Sequence, residues 1–188
     1  YEKHYAVGSF NCYSYETFRG CIAAGEEMGA PVIAAFGAAY LANMSLETAH
    51  AIAASLAREA DVPVCLHLDH CSEVDVICRA IKAGFGSVMY DGSALPFAEN
   101  VANTRMVCQV AHACGVSVEA ELGCLAVGVD SHEGRAEDVE QYTDPQAARE
   151  FVAATEVDAL AVSIGTVHGI YKGKPHIRTD ILEEIHRA

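Results

Sequence analysis

Short runs of apolar residues alternate with longer segments of helical periodicity, a pattern that predicts a series of βα units and a parallel sheet. Six runs are predicted to be strands, because each is short, apolar and bounded by turn residues. Apolar character along a whole run is typical of parallel strands that are buried on both faces. The predicted strands are residues 5–10, 30–36, 62–68, 86–91, 116–122 and 158–164.

The segments between the strands carry signals for the start and the end of helices. Helices are predicted over 14–29, 45–60 and 97–115, each of roughly three to five turns. The start signals are Ser14 with Thr17, Ser45 with Thr48, and Asp144 before Pro145, and the stop signals are Gly29 and Gly115. Residues 123–142 are rich in glycine and acidic residues and lack a clean period, which predicts a long loop after the fifth strand.

Polar residues gather at the carboxyl ends of the predicted strands, and this placement indicates the fold. They are Asn11, His67, Asp69, His70, Asp91, Glu119, Glu121 and His168. Parallel βα units with polar groups along one rim predict an α/β protein of the (β/α)8 TIM-barrel type, whose active sites lie at that rim. A doubly wound open sheet is the alternative, but it would collect ligands at a single switch point.

The length of the chain limits how much of such a barrel it contains. Eight βα units typically need about 250 residues, and the chain has 188. We therefore expect about six of the eight units, with residues 1–188 forming one partial barrel domain that represents part of a longer chain.

Composition narrows the classes of partner. The formal net charge is −14 with four lysines, which argues against nucleic acid and anionic membrane surfaces. No apolar run approaches the roughly 18 to 20 residues of a membrane span, and residues 1–10 lack a signal-peptide pattern, so a cytoplasmic location is expected. The eight cysteines include no CxxC pair and are expected to be free thiols. A phosphorylated small substrate is still compatible with this charge if the electrostatic potential of a local pocket outweighs that of the whole chain.

The third strand ends in an unusual group of ionisable side chains, His67, Asp69 and His70. Such groups against a buried strand incur desolvation and perturb one another without an obvious structural benefit, which favours a functional site. His70, His168, Asp91 and Glu121 are of the types that bind zinc or a similar divalent cation. Ordinary strand-end groups, solvated or paired with one another, are the alternative, and the residues alone leave both interpretations open.

Seven segments carry a resemblance to a known family. In order along the chain they are YAVGSFN (5–11), APVI (30–33), HLDHCSE (67–73), GFGSVMYDGS (84–93), VEAELG (118–123), YTDP (142–145) and DALAVSIGTVHGIYKGKP (158–175). The chain resembles the class II, metal-dependent ketose-bisphosphate aldolases, which include fructose-bisphosphate and tagatose-bisphosphate aldolases. The resemblance runs nearly end to end, and it implies a barrel enzyme about 100 residues longer than this chain.

The resemblance also implies roles for individual residues. His70 and His168 match the first and second ligands of a divalent metal, zinc in the first place, with a monovalent cation as a further cofactor candidate. Asp69 matches the general acid/base at the carbinol oxygen, and Asp91 and Glu121 match residues around an alternative or second metal position. Asn11, Gly169 and Lys172 match contacts to substrate, and Asp130 and Glu133 are candidates for the acid of a mobile loop. The third metal-binding His and later phosphate-binding loops would follow residue 188.

The activity implied by the resemblance is aldol cleavage or condensation of a ketose 1,6-bisphosphate. The products of cleavage are dihydroxyacetone phosphate and glyceraldehyde 3-phosphate, and a homodimer or homotetramer is expected. A barrel metallohydrolase and a non-catalytic truncated relative are the alternatives. Fructose and tagatose bisphosphates differ in one hydroxyl configuration, a distinction that the sequence does not resolve.

Overall fold

The computed structural model of the chain describes residues 5–123, 126–127, 142–170 and 174–188, with the backbone alone at 126 and 127. Strands and helices alternate through these residues. The strands are β1 (Gly8–Asn11), β2 (Val32–Gly37), β3 (Val64–Cys71), β4 (Ser87–Tyr90), β5 (Ser117–Leu122), β6 (Ala126–Val127), β7 (Ala159–Val162) and β8 (Val167–His168). The helices are α1 (Tyr15–Met28), α2 (Leu46–Glu59), α3 (Val74–Ala83), α4 (Phe97–Ala113), α5 (Pro145–Thr155) and α6 (Thr179–Arg187). The alternation confirms the predicted α/β class.

The larger sheet has the strand order β1-β2-β3-β4-β5-β7, which follows the chain. Strand β2 pairs in parallel with β1 and with β3, so that Asn11 is level with Ala35 and Asp69 is level with Gly37. Strand β5 pairs in parallel with β7, and Glu121 is level with Ala161. Parallel pairing brings the carboxyl ends of successive strands to the same edge of a sheet, the edge at which the polar residues were predicted to gather.

The chain divides into two compact units. Unit 1 contains residues up to Met89 together with Ala111–Ser117, and unit 2 contains Tyr90–Val110 and residues from Val118 onward. In unit 1, the buried rings of Phe36 and Phe85 meet edge to face, with centroids 6.5 Å apart. Unit 2 has its own apolar interior, in which the fully buried Phe151 packs edge to face on Phe97 at 6.1 Å.

The predicted helix ends are confirmed where they rest on local chemistry. The Ser14 side chain accepts from the backbone N–H of Thr17, whose hydroxyl accepts from the N–H of Ser14, and this capping box starts α1. The side chains of Ser45 and Asp144 cap α2 and α5 by accepting from the backbone N–H groups of Thr48 and Ala147. Gly29 ends α1 with a left-handed backbone, at φ 59°.

Two features of the sheets differ from the prediction. All four residues of β1 are exposed, although the sequence predicted burial on both faces. Strand β1 is at one end of the strand order, and residues at such an end are covered only as far as neighbouring elements allow. Residues 126 and 127, predicted to be part of a loop, form β6 and pair in parallel with β8. A two-residue strand is too short to produce a recognisable hydrophobic period.

Two further predictions concern thiols and membranes. The seven cysteines within the described residues are free thiols, as predicted. Among the helices that the structure describes, none combines the length and the apolar character that crossing a membrane requires.

Candidate active site

The carboxyl end of β3 brings His67 and Asp69 together in unit 1. Side chains alternate between the two faces of a strand, so residues two positions apart lie on the same face. Nε2 of His67 lies 3.8 Å from Oδ1 of Asp69. His67 is 3% exposed, whereas the Asp69 side chain is 20% exposed. The carboxylate is therefore the member of this pair that solvent or a ligand can reach.

The imidazole of His67 is held on its other side by a neighbouring strand. Nδ1 of His67 lies 2.8 Å from the hydroxyl oxygen of Ser87, the first residue of β4. Burial, and next the nearby charge of His70, lower the pKa of His67 to about 4. The ring is therefore neutral at pH 7, and its contact with Asp69 is one of a neutral imidazole with a carboxylate, not an ion pair.

His70 has a backbone conformation that residues other than glycine seldom adopt. Its φ is 44°, in the left-handed region, although it lies within β3. Histidine is enriched several-fold over most residues in this region, but the conformation still costs about 1 to 2 kcal/mol. Strain of this kind is concentrated at active sites and ligand sites.

Two carboxylates of unit 2, those of Asp91 and Glu121, lie close together. Asp91 follows β4 and Glu121 lies in β5, and one ligand oxygen of each lies within 4.8 Å of the other. Glu121 is 3% exposed, and its Oε2 atom is shielded from solvent. Two ionised carboxylates at this separation repel each other, so a divalent cation at the pair would stabilise the arrangement. The donor set fits a metal.

The carboxylate of Asp91 is oriented by a residue that sequence analysis missed. Oδ1 of Asp91 accepts from the backbone N–H of Ser93 at 3.1 Å and from its hydroxyl at 2.7 Å. This is the side-chain-to-backbone turn that Asp favours two residues ahead of its partner. The Asp-Gly-Ser segment at 91–93 carries that signal, and it could have been used to predict the contact.

The remaining predicted site residues lie on other elements of the chain. Asn11 is exposed at the end of β1, and Gly169 is exposed with φ 84°. His168 lies in β8, with its Nδ1 shielded from solvent. Within the described residues, His168 is not a member of the group of metal-ligating atoms that contains Asp91 and Glu121. Lys172, Asp130 and Glu133 lie outside the described residues.

Comparison with known proteins decides the family. The sequence model of the family "Fructose-bisphosphate aldolase class-II" matches residues 1–188. The chain belongs to the class II fructose-bisphosphate aldolase family. This confirms the resemblance drawn from the seven sequence segments.

Relatives of this class II aldolase chain are similar to it along almost all of its length. A sulfofructosephosphate aldolase from Alkalicoccus urumqiensis is 38% identical over 188 residues, which cover 100% of the chain and 65% of the relative. A fructose-bisphosphate aldolase from Thermus caldophilus is 45% identical over 172 residues, covering 90% of the chain and 55% of the relative. The chain thus spans less than two thirds of the length of these relatives.

A solved structure supports the fold. The crystal structure of the YdjI aldolase from Escherichia coli K12 is similar to this class II aldolase chain with a TM-score of 0.86 and 36% identity, and the match covers 99% of the chain and 64% of that structure. With the parallel sheet in chain order, this confirms the prediction of a partial (β/α) barrel.

Proposed function

We propose that the chain forms the metal-binding and proton-transferring part of an enzyme that cleaves a phosphorylated ketose by aldol chemistry. One observation carries the proposal: a buried Glu121 and its neighbour Asp91 offer ligand oxygens within 4.8 Å of each other, in a chain of the class II aldolase family. The names of the relatives, a sulfofructosephosphate aldolase and a fructose-bisphosphate aldolase, support a phosphorylated ketose as substrate.

We propose that the divalent cation is held by imidazole and carboxylate ligands together. The Asp91 and Glu121 carboxylates of unit 2 would supply oxygen ligands, and His70 and His168 are proposed as imidazole ligands on the strength of the family motif. Nitrogen and oxygen donors of these types suit zinc among the divalent ions. A cation bound there would polarise the carbonyl of the substrate as a Lewis acid.

Asp69 is proposed as the general acid/base. The Asp69 side chain is 20% exposed, so a substrate can reach its carboxylate. The neutral imidazole of His67 beside it restricts the conformations of the Asp69 side chain. In cleavage, the ionised carboxylate would accept the proton of the carbinol hydroxyl, and that oxygen would become the carbonyl of the departing aldehyde. The carbon-carbon bond next to the carbinol would break, and its electron pair would stay on the ketose fragment as an enediolate, which a proton would then convert to the ketose phosphate product. In condensation, the same group would return the proton.

The proposed substrate contacts follow from exposure at the strand ends. The amide of Asn11 is exposed where β1 ends and can donate to an oxygen of the sugar. Gly169 has no side chain to block its backbone, and it is exposed. Lys172 is proposed as a partner of a substrate phosphate because it follows Gly169 in the same family segment. Fructose and tagatose 1,6-bisphosphates are the substrates that we propose to test first.

The test is an assay of aldol cleavage by the complete protein. Each of three sugars, fructose 1,6-bisphosphate, tagatose 1,6-bisphosphate and sulfofructose phosphate, is supplied with and without a chelator, and zinc is then added back. We expect cleavage of at least one sugar, its loss with chelator and its recovery with zinc. Borohydride added with substrate should leave the activity intact, since no Schiff base is expected. No cleavage of any sugar by the metal-loaded protein, or hydrolysis of an ester instead, would contradict the proposal.

A further inference from the structure

Two fully buried polar side chains of α4 form a network that reaches the backbone of Glu121. Asn100 is 1% exposed and Thr104 is 0% exposed. The Thr104 hydroxyl donates to Oδ1 of Asn100 at 3.1 Å, and Nδ2 of Asn100 donates to the backbone carbonyl of Glu121 at 2.9 Å. Burial of an amide and a hydroxyl is unfavourable unless both are hydrogen-bonded, so their partners are closely specified.

The same amide packs against the residue that follows Asp91. A Cβ atom built on Gly92 would overlap Oδ1 of Asn100 and would lie 2.8 Å from its Cγ. The glycine therefore allows the backbone next to Asp91 to approach the carboxamide closely. One side chain thus packs on the backbone beside Asp91, at Gly92, and donates a hydrogen bond to the backbone of Glu121.

The hydroxyl of Thr104 determines which way the amide faces. Thr104 lies one helical turn after Asn100, and its donated hydrogen bond identifies the accepting atom as the amide oxygen. The nitrogen is then directed to the Glu121 carbonyl. If the hydroxyl is lost, the amide can rotate, and the bond to the strand is weakened.

We infer that Asn100 is a positioning residue that sets the separation of the Asp91 and Glu121 carboxylates, and that Thr104 fixes its orientation. The inference rests on the proposed function in one respect: it assumes that the Asp91 and Glu121 carboxylates bind a divalent cation. Residues that orient ligands without touching the metal typically change its affinity by about 10- to 100-fold when they are replaced.

The experiment measures zinc affinity of the complete protein by competition with a chromophoric chelator, without substrate. The variant is Thr104→Val, which removes the hydroxyl and keeps the volume. The matched control is Thr155→Val in α5: Thr155 is also 0% exposed, and its hydroxyl donates at 2.8 Å to the carbonyl of Phe151 within its own helix. We expect zinc to bind about 10-fold more weakly to Thr104→Val and unchanged to Thr155→Val.

Two further variants keep the inference testable if the first variant does not fold. Thr104→Ser retains the donor, and we expect it to bind zinc as the wild type does. Gly92→Ala displaces the Asn100 amide directly, and we expect its affinity to fall. Equal affinity in Thr104→Val and Thr155→Val would overturn the inference, as would unchanged affinity in Gly92→Ala. Because the readout is metal binding, a protein that binds zinc as expected but cleaves no sugar would contradict only the proposed function.

Discussion

Two residues other than glycine, among those described, have a left-handed backbone, and they differ in what the conformation does. Glu156, at φ 60°, ends α5; its N–H donates to the carbonyl of Val152, and its side chain is exposed. His70, at φ 44°, lies within β3, where no helix has to be ended. Each conformation costs about 1 to 2 kcal/mol. At Glu156, the need to end the helix accounts for the left-handed backbone. At His70, the side chain accounts for it if the imidazole binds a cation.

Substitutions at the end of β3 should therefore change catalysis or metal binding, whereas substitutions at the end of α5 should change only stability. The largest effect is expected at Asp69, next to His70. Asp69→Asn should lower kcat by about 100-fold or more, because the proton acceptor is lost while the shape is kept. Bound metal, measured by elemental analysis, should not change.

Asp75→Asn is the matched control for Asp69→Asn. Asp75 is a carboxylate of the same unit, its side chain is 76% exposed, and it pairs with Arg79 one turn further along α3. An exposed pair of this kind contributes at most about 0.5 kcal/mol, so activity and stability should be close to wild type. Similar activities in the two variants would remove Asp69 from its proposed role.

The second expected effect is on the pH dependence of the stability of the folded chain, through His67 in the same strand. The pKa of His67 is lowered from 6.5 to about 4 in the folded chain. The unfolded chain therefore binds the extra proton first, and stability present above pH 6.5 is lost as the pH falls towards 4. We expect the metal-free wild type to lose about 2 to 3 kcal/mol more than His67→Gln between pH 7 and pH 4.5.

Urea unfolding at both pH values measures this difference. The variant isolates the contribution of His67 from that of the carboxylates, which titrate in both proteins. A wild type that loses no more stability than His67→Gln would show that the imidazole is not held neutral beside Asp69.

The smallest effect tests the two left-handed residues directly. Glu156→Gly should raise the free energy of unfolding by about 1 kcal/mol, because glycine adopts this conformation without strain. His70→Gly should gain a similar amount in the absence of metal. The two variants should then differ in bound zinc, retained in the first and reduced in the second. If His70→Gly were destabilised without metal, the φ of His70 would not be a source of strain.

Local features of this fold could be predicted from sequence, and long-range ones could not. The cap at Ser14 depends on a residue three positions away, and the strands follow from apolar runs, so both were predicted. The bonds from Ser87 to His67 and from Asn100 to Glu121 join residues 20 and 21 positions apart. No periodicity encodes such pairs. The exposure of β1 likewise depends on its place in the strand order, which apolar character does not specify.

We propose that the strained backbone of His70 serves to present its imidazole as a metal ligand. The most direct test is the zinc affinity of His70→Asn in the complete protein, compared with His50→Asn from helix α2 of the same unit. Asparagine tolerates the left-handed region, so the substitution removes the imidazole while preserving the backbone. We expect zinc binding to be at least about 10-fold weaker in His70→Asn and unchanged in His50→Asn. Equal affinity in the two variants would show that the imidazole of His70 is not a metal ligand.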